Sequence, residues 1–154
     1  MRRWRSHAFA ANGYVLPTRD AEDTPSTAPL AYATRFIGGN PTGMHHAWCK
    51  TFVNFVMRRT GMFFNHSLRA IDALGMGPHV AYPQPGDLAV MRHHVTIVAA
   101  VGPGSIIGLG GNQGHRVKFS HYPRRRIIAF VRPQRIFLEI NQNHHQDKKV
   151  RRRS

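Results

Sequence analysis

The hydrophobic pattern of this 154-residue chain changes period once, at the turn Tyr82, Pro83, Gln84, Pro85, Gly86, and that switch limits the folds open to it. Before the turn, apolar residues recur at three- and four-residue spacing. Leu30 to Ile37 predicts a short helix closed by Gly38 and Gly39, a pair suited to the left-handed conformation that ends helices. Cys49, Phe52, Val53 and Val56 fall at i, i+3, i+4 and i+7. That stripe predicts an amphipathic helix stopping near Thr60 and Gly61, with Lys50, Arg58 and Arg59 away from its apolar side. Leu68, Ile71 and Leu74 predict another helix over 67–74, capped by Asn65 or Ser67. After the turn, segments 88–91, 94–101, 105–109, 116–120 and 127–131 are short, rich in β-branched residues and separated by Gly or Pro, so about five strands are expected. Helices followed by neighbouring strands define an α+β domain with a largely antiparallel sheet.

One domain is expected over 29–140. Residues 1–28 read as a poorly ordered lead, because DAEDTPSTAP mixes acids, Ser, Thr and Pro without periodicity, and 141–154 as a basic disordered tail. A single cysteine excludes an internal disulfide. Twenty-two Lys and Arg against seven Asp and Glu give a formal charge of +15, so the surface attracts polyanions such as nucleic acid, anionic lipid or anionic wall polymers. No run approaches the ~20 apolar residues of a membrane helix. MRRWRS is basic, but the residues after it lack the uninterrupted apolar run of a secretory signal.

The one cysteine stands at a helix start, where free backbone N–H groups and the helix dipole favour a thiolate and lower the thiol pKa toward neutrality. A lone cysteine on an apolar stripe is equally well a small buried hydrophobe, so a nucleophile needs a base and an orienting group from elsewhere. His93 and His94 open the second strand and must point opposite ways. Alternation puts His94, Thr96, Val98 and Ala100 on one face and Val95, Ile97, Ala99 and Val101 on the other. On the next strand Ile106, Gly108, Gly110 and Asn112 share a face, and its glycines leave room for a site. Cysteine on a helix start, histidine on a strand and asparagine on the next form the Cys-His-Asn arrangement of papain-like hydrolases. An Asn in a Gly-rich loop is also a common turn residue. The adjacent histidine pairs, His45 with His46, His93 with His94 and His144 with His145, diverge rather than converge, so neither a metal nor another cofactor is expected.

The runs NPTG, HAWCKTFVNFVMRRTG, PQPGDLAVM, HHVTIV, GLGGNQG and YPRRRIIAFVRP resemble, in order and spacing, small bacterial proteins of the NlpC-type and CHAP (cysteine, histidine-dependent amidohydrolase/peptidase) superfamily. The likeness spans roughly residues 36 to 133. It implies a papain-like fold and hydrolysis of amide bonds in peptidoglycan peptides by a monomeric cysteine peptidase or amidase. On the matching positions the nucleophile falls on Cys49, the base on His94 and the third member on Asn112, with Trp48, His93 and Gln113 around the substrate. Pro85, Gly86 and Asp87 match a structural turn. Where the family commonly has glycine before the histidine and a small residue after the valine, this chain has His93 and Thr96, a bulkier rim that narrows the cleft or hands the base role to His93. Two other functions compete. The basic ends and Arg124 to Arg126 suit a nucleic-acid-binding protein, although no recognised nucleic-acid motif accompanies them. The same fold could also bind wall peptides without cutting them.

Overall fold

The computed structural model describes residues 27–136; the lead and tail expected from the sequence fall almost wholly outside them. Two helices, α1 (Ala28–Ala33) and α2 (Cys49–Arg59), precede six strands. The strands are β1 (His79–Val80), β2 (Leu88–Val90), β3 (Val95–Val101), β4 (Ser105–Gly110), β5 (Lys118–Pro123) and β6 (Ala129–Val131). They form one antiparallel sheet in the order β1-β6-β2-β3-β4-β5, so the chain is an α+β domain as its change of period requires. No helix among the described residues is long and apolar enough to cross a membrane.

The cysteine helix forms where its spacing puts it. Phe52, Val53, Val56 and Met57 are fully buried against Leu88, Val90, Val95, Ile97 and Leu109, and each such side chain contributes roughly 1.5–3 kcal/mol through burial. Thr60 ends it and Gly61 turns the chain away at φ 74°. Ala89, Met91, Val98, Ile106, Tyr122 and Phe130 pack on the opposite face of the sheet. A β-bulge between Val98 and Ala100 shifts the alternation, so Val101 packs with this far cluster instead of following Val95 and Ile97 as strict alternation requires.

Two other expectations give way. Segment 67–74 is a 3-10 turn over Ala70–Gly75 without a side-chain cap. The capping groups are engaged elsewhere: the Asn65 carboxamide oxygen accepts from Lys50 Nζ at 2.7 Å, and the Ser67 hydroxyl donates to Asp72 Oδ2 and accepts the Arg69 N–H at 3.1 Å, while the Ser67 carbonyl oxygen takes a second bond from Lys50 Nζ at 2.8 Å. Lys50, off the apolar stripe, is nevertheless fully buried, with Asn54 Oδ1 as a further acceptor at 2.8 Å. Satisfying its ammonium with neutral oxygens makes that burial tolerable.

Asp87, 1% exposed, fastens the turn before β2. Its carboxylate accepts the Gln84 N–H at 2.8 Å and the Arg132 Nε and Nη2 groups, each at 3.0 Å, tying the turn to the segment after β6. Asp87→Ala leaves the turn amide and the guanidinium unpaired and is expected to lower unfolding free energy by about 2–3 kcal/mol. Equilibrium urea denaturation checks this; an unchanged midpoint would remove the structural role of the turn.

Candidate active site

Cys49 begins α2 after a forced turn. Ala47 holds φ 46°, a left-handed conformation that costs a non-glycine residue about 1 kcal/mol or more, and Trp48 then caps the helix through its own carbonyl, which accepts the Phe52 N–H at 2.9 Å. Nothing in the sequence around Ala47 signals that turn. Trp48 is 1% exposed and edge-on to Phe52, with ring centroids 6.4 Å apart. It is a core residue, and the substrate contact expected of it is replaced by packing.

Three glycines at the end of β4 shape both sides of the site. A Cβ at Gly111 would lie 2.6 Å from both Phe52 Cβ and Trp48 Cζ3, so its absence lets α2 settle on the sheet. On the other face a Cβ at Gly108 would collide with Thr96, and one at Gly110 would collide with the Gln113 carboxamide and stand 2.8 Å from Thr96 Oγ1. Thr96 therefore lies under the glycines, fully buried, and does not narrow the cleft as its place in the sequence implied.

His94 leaves β3 toward those glycines, and its partner is Gln113, not Asn112. The strand ends at Gly110, and Asn112 adopts φ 57° in the turn that follows, which breaks the alternation and folds Gln113 back beneath the sheet. Asn112 is thus the turn residue, and Gln113, 4% exposed, is the orienting carboxamide rather than a substrate contact. Gln113 Nε2 donates to the carbonyls of Gly108 at 3.1 Å and Lys118 at 2.6 Å. Those two acceptors fix which end of the amide is nitrogen. Its Oε1 consequently faces His94 Nε2, 3.0 Å away, and since that oxygen only accepts, the proton belongs on Nε2. Nδ1 is left with a free lone pair.

Tyr122 was not foreseen. Its hydroxyl lies 3.0 Å from His94 Nε2 and shares the same N–H, with the two rings 5.4 Å apart. A signal existed: Tyr122 pairs with Ile106 and so falls on the face that Ile106, Gly108 and Gly110 mark.

The electrostatics run against one expectation. Burial pushes the Cys49 thiol up, and the N–H groups of Val95, Lys50 and Cys49, with the Lys50 charge, only oppose that rise. The helix start does favour the thiolate, but a side chain with the sulfur this enclosed loses more to desolvation. Burial also pushes His94 down, helped by Arg126 and opposed by the Gln113 hydrogen bond. Lys50 is lowered to about 8 by burial, against the pull of Asp72 and of the Cys49 charge. Cys49 and His94 therefore rest as neutral thiol and neutral imidazole at pH 7.

Cys49 opens into a cleft of about 650 Å³ lined also by Leu68–Ile71, Arg92, His93 and Ile128. An adjoining hollow of about 310 Å³ reaches His94 and Arg126 and shares Arg92 and His93 with the first. The exposed His93 lines both hollows, while His94 has the held geometry. The Cys49 charge also reaches Tyr122, the phenol on His94, and helps raise it after burial has done so. Lys50, tying residues 65 and 67 to α2, anchors the segment that leads into Leu68–Ile71 of the cleft. Among the described residues no three His, Cys, Asp or Glu side chains converge to hold a metal.

Comparison of the chain with family models, with curated proteins and with solved structures finds no match.

The held imidazole makes a pH prediction. Because the folded state keeps His94 neutral, the unfolded chain takes up its proton at a higher pH. The contribution of His94 is full above about pH 6.5 and is lost as pH falls from there through the lower folded value. NMR titration of His94 should give a midpoint below 6.5, lowered further in Gln113→Ala and raised in Arg126→Gln. A midpoint unmoved by Gln113→Ala would separate the carboxamide from the ring.

Proposed function

We propose that the protein is a cysteine hydrolase of the NlpC-type and CHAP kind, papain-like in arrangement, that cleaves amide bonds in peptidoglycan peptides. The observation that carries this is the Gln113 clamp, which assigns the His94 proton to Nε2 and leaves Nδ1 as a base at the start of β3, next to the Val95 N–H that favours the Cys49 thiolate. A half-buried imidazole is seldom held in one tautomer by a carboxamide whose own orientation is fixed twice over unless that tautomer matters. The motifs that resemble the superfamily converge here, with Gln113 in the role the sequence assigned to Asn112.

In this mechanism the Cys49 thiol passes its proton to His94 Nδ1 as the sulfur attacks the carbonyl carbon of the scissile amide. Backbone N–H groups at the start of α2 stabilise the charge that develops. The imidazolium, still donating from Nε2 to Gln113, returns the Nδ1 proton to the leaving amine, and the C–N bond breaks to leave a thioester on Cys49. A water molecule, deprotonated by His94, hydrolyses the thioester and releases the acid. Starting from neutral groups, the proton moves during attack rather than before it.

Mass spectrometry of purified muropeptides after incubation with wild type, Cys49→Ala and Gln113→Ala tests the assignment. Wild type should release defined fragments. Cys49→Ala should release none while losing only about 1 kcal/mol of stability, since one sulfur atom is removed from an enclosed site. Gln113→Ala should cut about 10²-fold more slowly, because either tautomer becomes open to the ring. Intact muropeptides with the wild-type protein across pH 5–9, or equal cleavage by Cys49→Ala, would sink the hydrolase.

A further inference from the structure

Three guanidinium groups border the hollows at the start of β3, and among the described residues no acidic side chain forms an ion pair with them. Arg69 and Arg92 both line the Cys49 cleft, while Arg126 lines the adjoining hollow with His94. All three are exposed. The two acids among the described residues are occupied elsewhere, Asp87 by Arg132 and Asp72 by the Ser67 hydroxyl. Arg126 is held over the Tyr122 ring at 5.7 Å, which keeps its charge close to the site. Leu68 and Ile128, both more than half exposed, give the same cleft apolar surface of low polarisability.

Cationic groups around a concave, partly apolar site focus the field and concentrate anions there. Arginine adds shape to charge, since its planar fork matches the two oxygens of a carboxylate. Arg92 is common to both hollows, the one lined by Cys49 and the one lined by His94, and lies two residues before His94, so a carboxylate held by it borders both.

We propose that the Cys49 cleft is an anion-selective pocket, built to take ligands that carry a free carboxylate next to the carbon the sulfur attacks, with Arg92 as the holding residue and Arg69 and Arg126 adding to the field. For the hydrolase, on whose reading this part rests, the substrate class is a peptide amide with an unmodified carboxylate beside the scissile bond, and the amidated form is the poor substrate.

Two alkylating probes test the pocket without requiring hydrolysis. With iodoacetate or iodoacetamide the Cys49 sulfur forms a bond to the methylene carbon, the carbon–iodine bond breaks, iodide leaves and the thiol proton goes to buffer. Rates on the full chain, followed by intact mass and referred to N-acetylcysteinamide, should show the iodoacetate-to-iodoacetamide ratio raised about tenfold over the free thiol. Added salt should reduce that advantage. Arg92→Gln should bring it most of the way back to the free-thiol value, Arg92→Lys should keep part of it, and Arg59→Gln, on the far end of α2, should leave it unchanged. A ratio equal to that of the free thiol, or one indifferent to Arg92→Gln and to the triple Arg69, Arg92, Arg126→Gln variant, overturns the proposal.

A second arm compares an acyl peptide whose scissile amide joins a C-terminal residue bearing a free carboxylate with the same peptide ending in a carboxamide. The free acid should be cut with about tenfold higher kcat/KM, and Arg92→Gln should erase the difference. If neither peptide is cut but iodoacetate keeps its advantage, the anion pocket stands and the hydrolase falls. If both are cut equally and the alkylation ratio is that of a free thiol, the hydrolase stands and the pocket falls.

Discussion

The end of β4 carries no side chains at Gly108, Gly110 and Gly111, and the rest of the site depends on that bare stretch. On one face, Trp48 and Phe52 occupy the space a Gly111 side chain would fill, which brings the first turn of α2 and its cysteine down to the start of β3. On the other face, Thr96 and the Gln113 carboxamide occupy the space left by Gly108 and Gly110. The same few peptide units thereby position the sulfur from one side and the imidazole from the other. Their spacing is set by backbone, the stiffest material a protein has, rather than by long side chains.

Much of this was legible in the sequence. The change of period at Tyr82 to Gly86 fixes the α+β class, and the stripe through Cys49 and Val56 places the helix start to within a residue or two. The glycines of GLGGNQG announced a crowded strand end. What failed did so where tertiary contacts overrule local pattern. Alternation could not carry through the bulge after Val98, nor through the left-handed turn at Asn112 that exchanges Asn112 for Gln113 as the partner of His94. Segment 67–74 has helical spacing, but the Asn65 side chain that could cap it is held by Lys50, fifteen residues earlier in the chain, which also binds the Ser67 carbonyl. No local pattern announces such a contact. Trp48 beside the cysteine looked like a rim residue because sequence does not report which side of the helix start faces the sheet.

Burial decides the electrostatics of the site. A helix start offers a cysteine a few partial positive charges, worth typically 0.3–1 kcal/mol at an exposed position. Enclosing the sulfur raises the cost of its charge by more than those donors return, and enclosing His94 does the same to the imidazolium. Both effects disfavour the ion pair and leave two neutral partners. Lys50 adds a charge of the helpful sign one residue away, but three hydrogen-bonded oxygens at 2.7–2.8 Å absorb much of its capacity. Its main effect is mechanical, holding the wall of the cleft against α2.

A neutral resting pair also bears on the arginines. A substrate carboxylate brought beside the sulfur makes the thiolate still harder to form, since two like charges ~6 Å apart repel by roughly 3 kcal/mol at an effective dielectric constant of ~20. A guanidinium at comparable distance cancels a term of that size, and it does so for the carboxylate and for the thiolate together. An anionic ligand and an enclosed thiol are therefore compatible only in a cleft with unpaired cations on its walls. Arg69 and Arg92 line the cleft into which that sulfur opens, and among the described residues neither forms an ion pair with an acid.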